Sequence, residues 1–191
     1  MNSAIFLKYL EEHNELFNRI HELNADVQHA IELCSKTINN KRKIIFCGNG
    51  GSAADSQHLA AEFVGRFIKD RPALPSIALT TDTSALTCIG NDYSFSEIFS
   101  RQVSGIGIEG DCIILISTSG NSDNLIKAAI AAKSQKLKVI GLLGKGGGKL
   151  KTFCDLSIVV PSNTTARIQE AHILIGHAIC AGVEINLGYS E

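Results

Sequence analysis

A glycine-rich turn between an apolar run and a helix-forming segment is the feature that most constrains the fold of this 191-residue chain. Residues 44–47 are Ile-Ile-Phe-Cys, which is typical of a short strand buried on both faces. Residues 48–51 are Gly-Asn-Gly-Gly and cannot continue the strand, because glycine permits positive φ and close approach to the backbone. Ser52 is a good N-cap, and the alanines after it favour a helix. The stretch therefore predicts a strand, a turn and a helix N-terminus.

Such a turn exposes free N–H groups at the positive end of a helix dipole, which suits an anion and most often a phosphate. A tight connection without any ligand is one alternative, because a single glycine turn is a weak motif. A dinucleotide site is another, since Gly48, Gly50 and Ala53 fit a loose version of that fingerprint. In that case Asp82, at the end of the next predicted strand, could hold a ribose hydroxyl.

Strands and helices alternate along the chain from this turn to its end. The strands are predicted at residues 43–47, 76–81, 111–116, 137–143 and 156–160. This spacing predicts an α/β fold in which one doubly wound, mostly parallel five-stranded sheet has helices on both faces. The last helix is predicted from Thr164 or Thr165 to about residue 187.

Two amphipathic helices precede the sheet, one within residues 3–23 and one capped by Asn24 and ending near residue 40. We therefore divide a single domain, 1–191, into a helical pair, 1–40, and an α/β core, 41–191. The helical pair is a candidate surface for a partner subunit. Alternatively, it covers one face of the sheet.

Composition and charge exclude several classes of protein. The net charge is −1 and there is no basic block, which argues against nucleic acid as the main ligand. The first 14 residues do not resemble a signal peptide, and no apolar run approaches the ~20 residues of a membrane span. The six cysteines form no C-x-x-C pair, and most lie in apolar runs, so we expect buried thiols in a reducing cytoplasm.

A second polar loop follows the third predicted strand, where residues 117–122 are Ser-Thr-Ser-Gly-Asn-Ser. Hydroxyls and backbone N–H groups of this kind can surround a phosphomonoester without a metal. A dinucleotide fingerprint does not account for this loop, whereas a sugar phosphate uses both loops at the strand ends. Residues 90–92, Gly-Asn-Asp, are predicted as a further polar turn, and the glycine-rich residues 144–148 lack the Ser or Thr of a nucleotide P-loop.

The helix after the glycine turn places His58, Glu62 and Arg66 four residues apart on one face. The alternative is a solvated face with a Glu62–Arg66 pair worth only ~0.3–0.5 kcal/mol. The last helix carries Gln169 and His177 on one face, eight residues apart. There the alternative is a pair of satisfied core histidines, His172 and His177. Two helices that each offer an acid–base group or a metal ligand beside a phosphate loop favour a site.

Together these motifs resemble the bacterial phosphoheptose isomerases of the SIS (sugar isomerase) domain family, over nearly the whole chain. The matching segments are Gly48-Asn49-Gly50-Gly51-Ser52, Gln57-His58, Ala61-Glu62, Gly65-Arg66, Gly90-Asn91-Asp92, Ser117-Thr118-Ser119-Gly120-Asn121-Ser122 and Ala166-Arg167-Ile168-Gln169-Glu170. The resemblance implies a flavodoxin-like sheet and conversion of sedoheptulose 7-phosphate to glycero-manno-heptose 7-phosphate. That reaction is the first step towards the heptoses of lipopolysaccharide and related glycans. It also implies a cytoplasmic homotetramer with active sites between subunits, built partly on the leading helices.

The resemblance also implies roles for individual residues. The implied substrate contacts are Asn49, Gly50, Gly51, Ser52, Glu62, Asn91, Asp92, Ser117, Thr118, Ser119, Ser122 and Gln169. The implied acid–base pair is Glu62 and His177, and the implied ligands of one zinc per subunit are His58, Glu62, Gln169 and His177. Ala166 departs from the pattern, because some relatives have an aspartate there.

The residue types implied by the resemblance suit aldose–ketose isomerisation. Aldose–ketose exchange passes through an enediolate, which needs a base within hydrogen-bond reach and a group that stabilises the oxyanion. Glu62 can transfer the carbon-bound proton and His177 the oxygen-bound one or open the sugar ring, while a zinc ion could instead polarise the carbonyl. A glutamine ligand is unusual for zinc.

A second hypothesis is a non-catalytic SIS-domain regulator that binds a replication initiator or senses a sugar phosphate. The initiator-associating protein is similar in its loops but lacks the acid–base pair at the positions of Glu62 and His177. Both residues are present here, which favours the enzyme.

Overall fold

The computed structural model describes residues 4–189, in which five β-strands alternate with seven α-helices. The strands are β1 (Ile44–Gly48), β2 (Ser76–Ala78), β3 (Cys112–Ser117), β4 (Lys138–Leu143) and β5 (Leu156–Val159). The helices are α1 (Ile5–Phe17), α2 (Asn24–Asn39), α3 (Gly51–Val64), α4 (Thr83–Asp92), α5 (Ser100–Ile106), α6 (Asp123–Ser134) and α7 (Thr165–Asn186). Short 3-10 helices lie at Ile20–Leu23, Phe95–Glu97, Lys145–Gly147 and Lys149–Phe153.

The five strands run parallel in one sheet, in the order β2-β1-β3-β4-β5. This arrangement confirms the predicted doubly wound α/β fold. From β1 the chain proceeds to one edge of the sheet for β2 and then returns across β1 for β3, so the strand order reverses between β1 and β3. In open α/β sheets a ligand binds in the crevice outside the carboxyl ends of the strands at such a point.

Side chains alternate across the sheet and divide the core into two clusters. Ile44 and Phe46 of β1 lie in the cluster that contains α2, α3 and α7, whereas Ile45 and Cys47 lie in the one that contains α5 and α6. All four side chains are buried, and full burial of an Ile or Phe side chain contributes roughly 1.5–3 kcal/mol. The strand that leads into the glycine turn is therefore held from both faces.

Two local predictions at helix ends are wrong. Asn24 does not cap α2, because the preceding 3-10 helix runs directly into it and Asn24 already has helical dihedrals, φ −55° and ψ −42°. The polar turn predicted at residues 90–92 is instead the end of α4, because the buried side chain of Ile89 holds that last turn against the core. Asp82 does cap α4, since its Oδ1 accepts a hydrogen bond from the Ala85 N–H at 2.9 Å.

One face of α1 is apolar and exposed. Its large side chains, each at least 42 % exposed, are Ile5, Phe6, Leu7, Tyr9 and Leu10. None of the helices in the described part of the chain is both long and apolar enough to cross a membrane. The division into a helical pair and an α/β core stays a prediction.

Candidate active site

A polar cavity of about 300 Å³ lies at the carboxyl ends of β1 and β3, where the strand order reverses. Its lining residues are Asn49, Gly50, Gly51, Ser52, Ile116, Ser117, Thr118, Ser119, Ser122, Thr165 and Gln169. The two predicted loops therefore meet, and all the predicted substrate contacts line this cavity except Glu62, Asn91 and Asp92. Thr165 was not predicted to belong to the site, because its position at the start of α7 is remote in sequence from both loops.

Three helices begin at this cavity. Gly51 and Ser52 are the first residues of α3, Ser122 is the N-cap of α6, and Thr165 is the first residue of α7. Helix N-termini present free N–H groups and a partial positive charge, which together suit a phosphate. No charged side chain is among the described residues that line the cavity, so backbone dipoles and hydroxyls are what it offers an anion.

The glycine turn differs in one respect from the predicted cap. Ser52 lies inside α3, and Gly50 occupies the N-cap position with φ +56° and ψ −122°. A side chain at Gly50 would be strained in that conformation, whereas glycine adopts it at little cost. The Ser52 side chain is buried and lines the cavity instead of capping the helix.

The serine-rich loop is held from inside and from outside. Within the loop, the Gly120 N–H donates to the Ser117 Oγ at 3.0 Å. From outside, the Leu150 N–H donates to the Gly120 carbonyl at 2.8 Å, and the Lys149 N–H donates to the Asn121 Oδ1 at 3.0 Å. The glycine-rich segment at residues 144–148 contains one short 3-10 helix and leads into a second, Lys149–Phe153, that supports the loop.

A pair of asparagines joins the two loops. Asn49 Nδ2 donates to Asn124 Oδ1 at 3.0 Å, and Asn124 Nδ2 donates to Asn49 Oδ1 at 2.8 Å. Asn124 is buried, whereas Asn49 is partly exposed and lines the cavity. Sequence analysis missed Asn124, although its place in the first turn of α6, two residues after Ser122, was a usable signal.

A second group of polar side chains lies two turns further along α3, where this helix faces α7. His58, Glu62 and His177 each place one nitrogen or oxygen within 4.8 Å of the others. The two histidine Nε2 atoms are 2.9 Å apart, and His58 Nε2 is 3.3 Å from Glu62 Oε1. The structure thus unites the predicted acid–base pair with one further predicted zinc ligand.

This geometry does not support the two alternatives considered for these helix faces. Glu62 lies beside His58, and the described residues include no Glu62–Arg66 ion pair. The prediction that Arg66 shares the helix face is wrong, because α3 ends at Val64 and Arg66 is exposed beyond it. His177 is partly exposed, whereas His172 is the core histidine, with its Nε2 3.1 Å from the Leu143 carbonyl oxygen. Burial lowers the pKa of His172 to about 4, so this side chain is neutral at physiological pH.

Asp55 also lies near this cluster and was missed by sequence analysis. Burial raises the pKa of its carboxyl above the ordinary value, although His58 and His177 oppose that shift. Asp55, His58 and Glu62 are spaced by three and four residues on α3, so the helical period was a signal that could have identified it.

The donor set of the cluster fits zinc. Two imidazoles and one carboxylate are typical of catalytic zinc sites, which keep a further position open. The two short separations in the cluster are close to the ~3.3 Å that separates ligands on a tetrahedral zinc with bonds of about 2.05 Å. Gln169, the fourth predicted ligand, lines the neighbouring phosphate-type cavity beside Gly51, so its role as a ligand stays a prediction.

The other predicted site residues lie further out. Asn91 and Asp92 are exposed at the end of α4 and do not line the cavity, so their contact with substrate stays a prediction. Ala166 is exposed in the first turn of α7. Asp82, the candidate ribose ligand of a dinucleotide, is used as the cap of α4, which removes support from that reading.

A larger cavity of about 440 Å³ lies between α1 and the loop before α7. It is lined by Glu12 and Glu15 as well as Arg19 and Arg167. The two carboxylates offset the charge of the two guanidinium groups, and α7 is the one helix of the described sheet core that begins there. The smaller cavity, where three helices begin, is therefore the better phosphate site.

Comparison with known proteins shows what the chain as a whole is similar to. The model of the SIS domain family matches residues 8–144. The phosphoheptose isomerase of a Nitratiruptor species is 53% identical over 178 residues, which cover 93% of this chain and 95% of that protein. The phosphoheptose isomerase of Aneurinibacillus thermoaerophilus is 60% identical over 145 residues, or 76% of this chain and 73% of that protein.

Solved structures show the same similarity. The phosphoheptose isomerase of Neisseria gonorrhoeae is 43% identical and superposes with a TM-score of 0.91, covering 97% of this chain and 100% of that one. The phosphoheptose isomerase of Francisella tularensis is 34% identical with a TM-score of 0.94, covering 97% of this chain and 99% of that one.

Proposed function

The chain belongs to the SIS domain family and, within it, to the phosphoheptose isomerases; on this basis we propose that it converts D-sedoheptulose 7-phosphate to D-glycero-D-manno-heptose 7-phosphate. The observation that carries the proposal is the position of a Glu–His cluster two turns from a phosphate-type cavity, along the same two helices. Ser52 and His58 are six residues apart on α3, or about 9 Å along its axis. A linear sugar phosphate can therefore place its phosphate in the cavity and its carbonyl end at the cluster.

Different groups of the site bind the phosphate and transfer the protons. The starts of α3, α6 and α7 hold the phosphate together with the hydroxyls of the serine-rich loop. Glu62 moves the proton between carbons 1 and 2, and His177 moves the proton between the two oxygens. The 2.9 Å contact with His58 orients the imidazole of His177, and the 3.3 Å contact between His58 Nε2 and Glu62 Oε1 holds the Glu62 carboxylate beside the same pair of histidines.

His58, Glu62 and His177, with Gln169 as a fourth candidate, are the residues that would hold a zinc ion. When bound, zinc supplies a Lewis acid that stabilises negative charge on a substrate oxygen. The ion and its ligands are part of the proposal, which rests on the donor set of the cluster.

The phosphate requirement tests the proposed substrate class. We expect turnover of sedoheptulose 7-phosphate and no measurable turnover of free sedoheptulose. The free sugar lacks the phosphate that the helix N-termini of the cavity would bind. The measurement is NMR of both sugars incubated with the same preparation. Equal turnover of the two sugars would contradict the assignment of the cavity.

The metal prediction is tested by elemental analysis. We expect about one zinc per subunit in the purified protein, with activity falling after chelation and returning when zinc is added. His58→Gln should lower the zinc content, whereas His29→Gln, which changes an exposed histidine on α2, should leave it unchanged. Active protein without zinc or another divalent ion would rule the site out.

We also propose a homotetramer in which the exposed apolar face of α1 is buried between subunits. Isolated exposed apolar side chains are ordinary, but a contiguous apolar face on one helix marks an interaction surface. The mass of the protein in solution tests this directly, and a monomer mass would contradict it.

The proposed cellular role follows from the product. The heptose phosphate enters precursors for lipopolysaccharide or related glycans, in the cytoplasm. Free cysteines support a reducing compartment, since all six are unpaired and four are buried. The hypothesis of a non-catalytic regulator is not favoured, because a protein that only binds a partner or a sugar phosphate does not require the acid–base pair Glu62 and His177.

A further inference from the structure

A buried ion pair joins the far ends of the two helices that carry Glu62 and His177. The side chains of Arg71 and Glu184 are each 1% exposed, and Arg71 Nε donates to Glu184 Oε1 at 2.8 Å. Glu184 lies on α7 seven residues after His177, which places both on the same face of that helix. Arg71 lies in the segment that follows α3.

Arg71 caps the end of α3. The last carbonyl groups of a helix have no hydrogen-bond donors within it, and burying such a carbonyl without a donor lowers the stability of the fold. The Arg71 guanidinium donates to the carbonyls of Glu62 at 2.7 Å, Phe63 at 2.8 Å and Gly65 at 3.2 Å. We refer to Arg71 and Glu184 together as the clamp. One of the three carbonyls belongs to Glu62, the proposed catalytic base, so the clamp holds the backbone of Glu62 itself.

Glu184 holds the chain just beyond the helix. Its carboxylate accepts hydrogen bonds from the N–H groups of Phe67 at 2.9 Å and Ile68 at 3.2 Å. Burial raises the pKa of Glu184, but these two bonds and Arg71 outweigh it, so the pKa lies below its ordinary value and the group is ionised at neutral pH. The Phe67 ring, positioned in this way, stacks on the His177 ring with centroids 5.3 Å apart.

The two helices also touch closely beside the cluster. A Cβ at Gly176 would lie 2.6 Å from the terminal methyl groups of Leu59, so α7 packs closely against the Leu59 side chain of α3. Gly176 precedes His177, and Leu59 follows His58. The close approach sets the distance between the helices, and the ion pair resists sliding of one helix along the other.

From this geometry we infer that Arg71 and Glu184 are positioning residues for the isomerisation. Their ion pair sets the register of α3 against α7 and thereby the separation of Glu62 from His177. The inference rests on the proposed acid–base roles of those two residues. A displacement of about 1 Å in a catalytic group can cost 10²-fold in rate, so a device that holds this register has a large effect on turnover.

The chain offers a matched control. Asp111 is also a buried carboxylate that accepts two backbone N–H bonds, from Lys43 at 3.0 Å and Ile108 at 2.9 Å, and pairs with the Lys43 ammonium. It immediately precedes β3 and so lies at the amino end of this central strand, whereas the cavity lies at the carboxyl ends of the strands. Glu184→Gln and Asp111→Asn therefore remove the same kind of charge, one from the clamp and one from the end of the sheet remote from the cavity.

The test measures kcat and KM of both variants at a temperature where circular dichroism shows them folded. We expect Glu184→Gln to lower kcat at least tenfold with KM within twofold of the wild type, and Asp111→Asn to keep kcat within twofold. If Glu184→Gln does not fold, Arg71→Met combined with Glu184→Leu replaces the pair by apolar residues, a change that often preserves stability. Unchanged kcat in the folded clamp variant, or an equal fall in the control, would overturn the inference.

A second readout does not depend on turnover. The protein is labelled with 13C-histidine, and the ring signals of His177 are assigned by their loss in His177→Gln. These signals should shift in Glu184→Gln, because the Phe67 ring that stacks on His177 moves. They should not shift in Asp111→Asn. Glu62→Gln in the same kinetic assay separates the two claims. If the wild-type protein does not turn over sedoheptulose 7-phosphate, the proposed function fails. If Glu62→Gln retains activity, the acid–base role of Glu62 fails. If Glu62→Gln is inactive while the clamp variant is normal, only the positioning role fails.

Discussion

Glu62→Gln is expected to lower kcat by at least ~10²-fold, the low end for general acid–base catalysis, with KM little changed. The amide keeps the size of the side chain and its hydrogen bonding but cannot accept the proton from carbon. A lost interaction that exists only in the transition state lowers kcat, whereas lost uniform binding raises KM. Steady-state kinetics with sedoheptulose 7-phosphate and zinc analysis of the same sample measure both parameters and show whether the metal is retained.

The control for this variant is Glu109→Gln, which changes an exposed glutamate in the loop before β3 and should leave kcat unaltered. His177→Gln should resemble Glu62→Gln, and the double variant should be little worse than either, because both residues act on one reaction path. Near-normal kcat in folded Glu62→Gln would remove Glu62 as the base, whereas absence of turnover by the wild-type protein would favour the regulator hypothesis.

Gly120→Ala is expected to disrupt the phosphate loop and to raise KM by tenfold or more. Gly120 has φ +64°, and an added Cβ would clash with the Gly147 carbonyl oxygen. The left-handed conformation costs about 1–2 kcal/mol for a residue with a Cβ, and overpacking typically costs a further 1–3 kcal/mol. The loop must therefore move, and the hydroxyls on either side of it lose their positions. Thermal unfolding and substrate kinetics measure the two effects.

Gly146→Ala separates backbone strain from the clash. Gly146 also has positive φ, +78°, but a Cβ there meets no atom within 4 Å. We expect a small loss of stability and an unaltered KM for this variant. If Gly120→Ala bound substrate as well as Gly146→Ala does, the serine-rich loop would not be the phosphate site.

The glycine turn could be predicted because its residues determine it locally. The buried run at residues 44–47, the glycines and the alanines of α3 each favour one conformation, and the structure places them as one strand–turn–helix unit. The doubly wound sheet follows from the alternation of such units, since parallel strands need crossover helices. The helix boundaries at Asn24 and Asp92 were less predictable, because a 3-10 helix runs directly into α2 at Asn24 and packing of Ile89 against the core extends α4 to Asp92.

Long-range pairing explains what was missed at the site. Asn124, Arg71 and Glu184 are ordinary residues in sequence, and their importance arises from contacts with Asn49, Glu62 and Phe67 across the fold. Gly144–Gly148 similarly has no local signal for its support of the serine-rich loop. By contrast, Glu62 and His177 carried a helical-spacing signal and a family resemblance that agreed.

Incubation of the zinc-loaded protein with sedoheptulose 7-phosphate, followed by NMR, tests the central claim most directly. The account predicts that signals of a heptose 7-phosphate aldose grow until the two sugars reach equilibrium, and that Glu62→Gln at the same concentration produces almost none. Folded, zinc-loaded protein that leaves the ketose unchanged would contradict the assignment of this chain as a phosphoheptose isomerase.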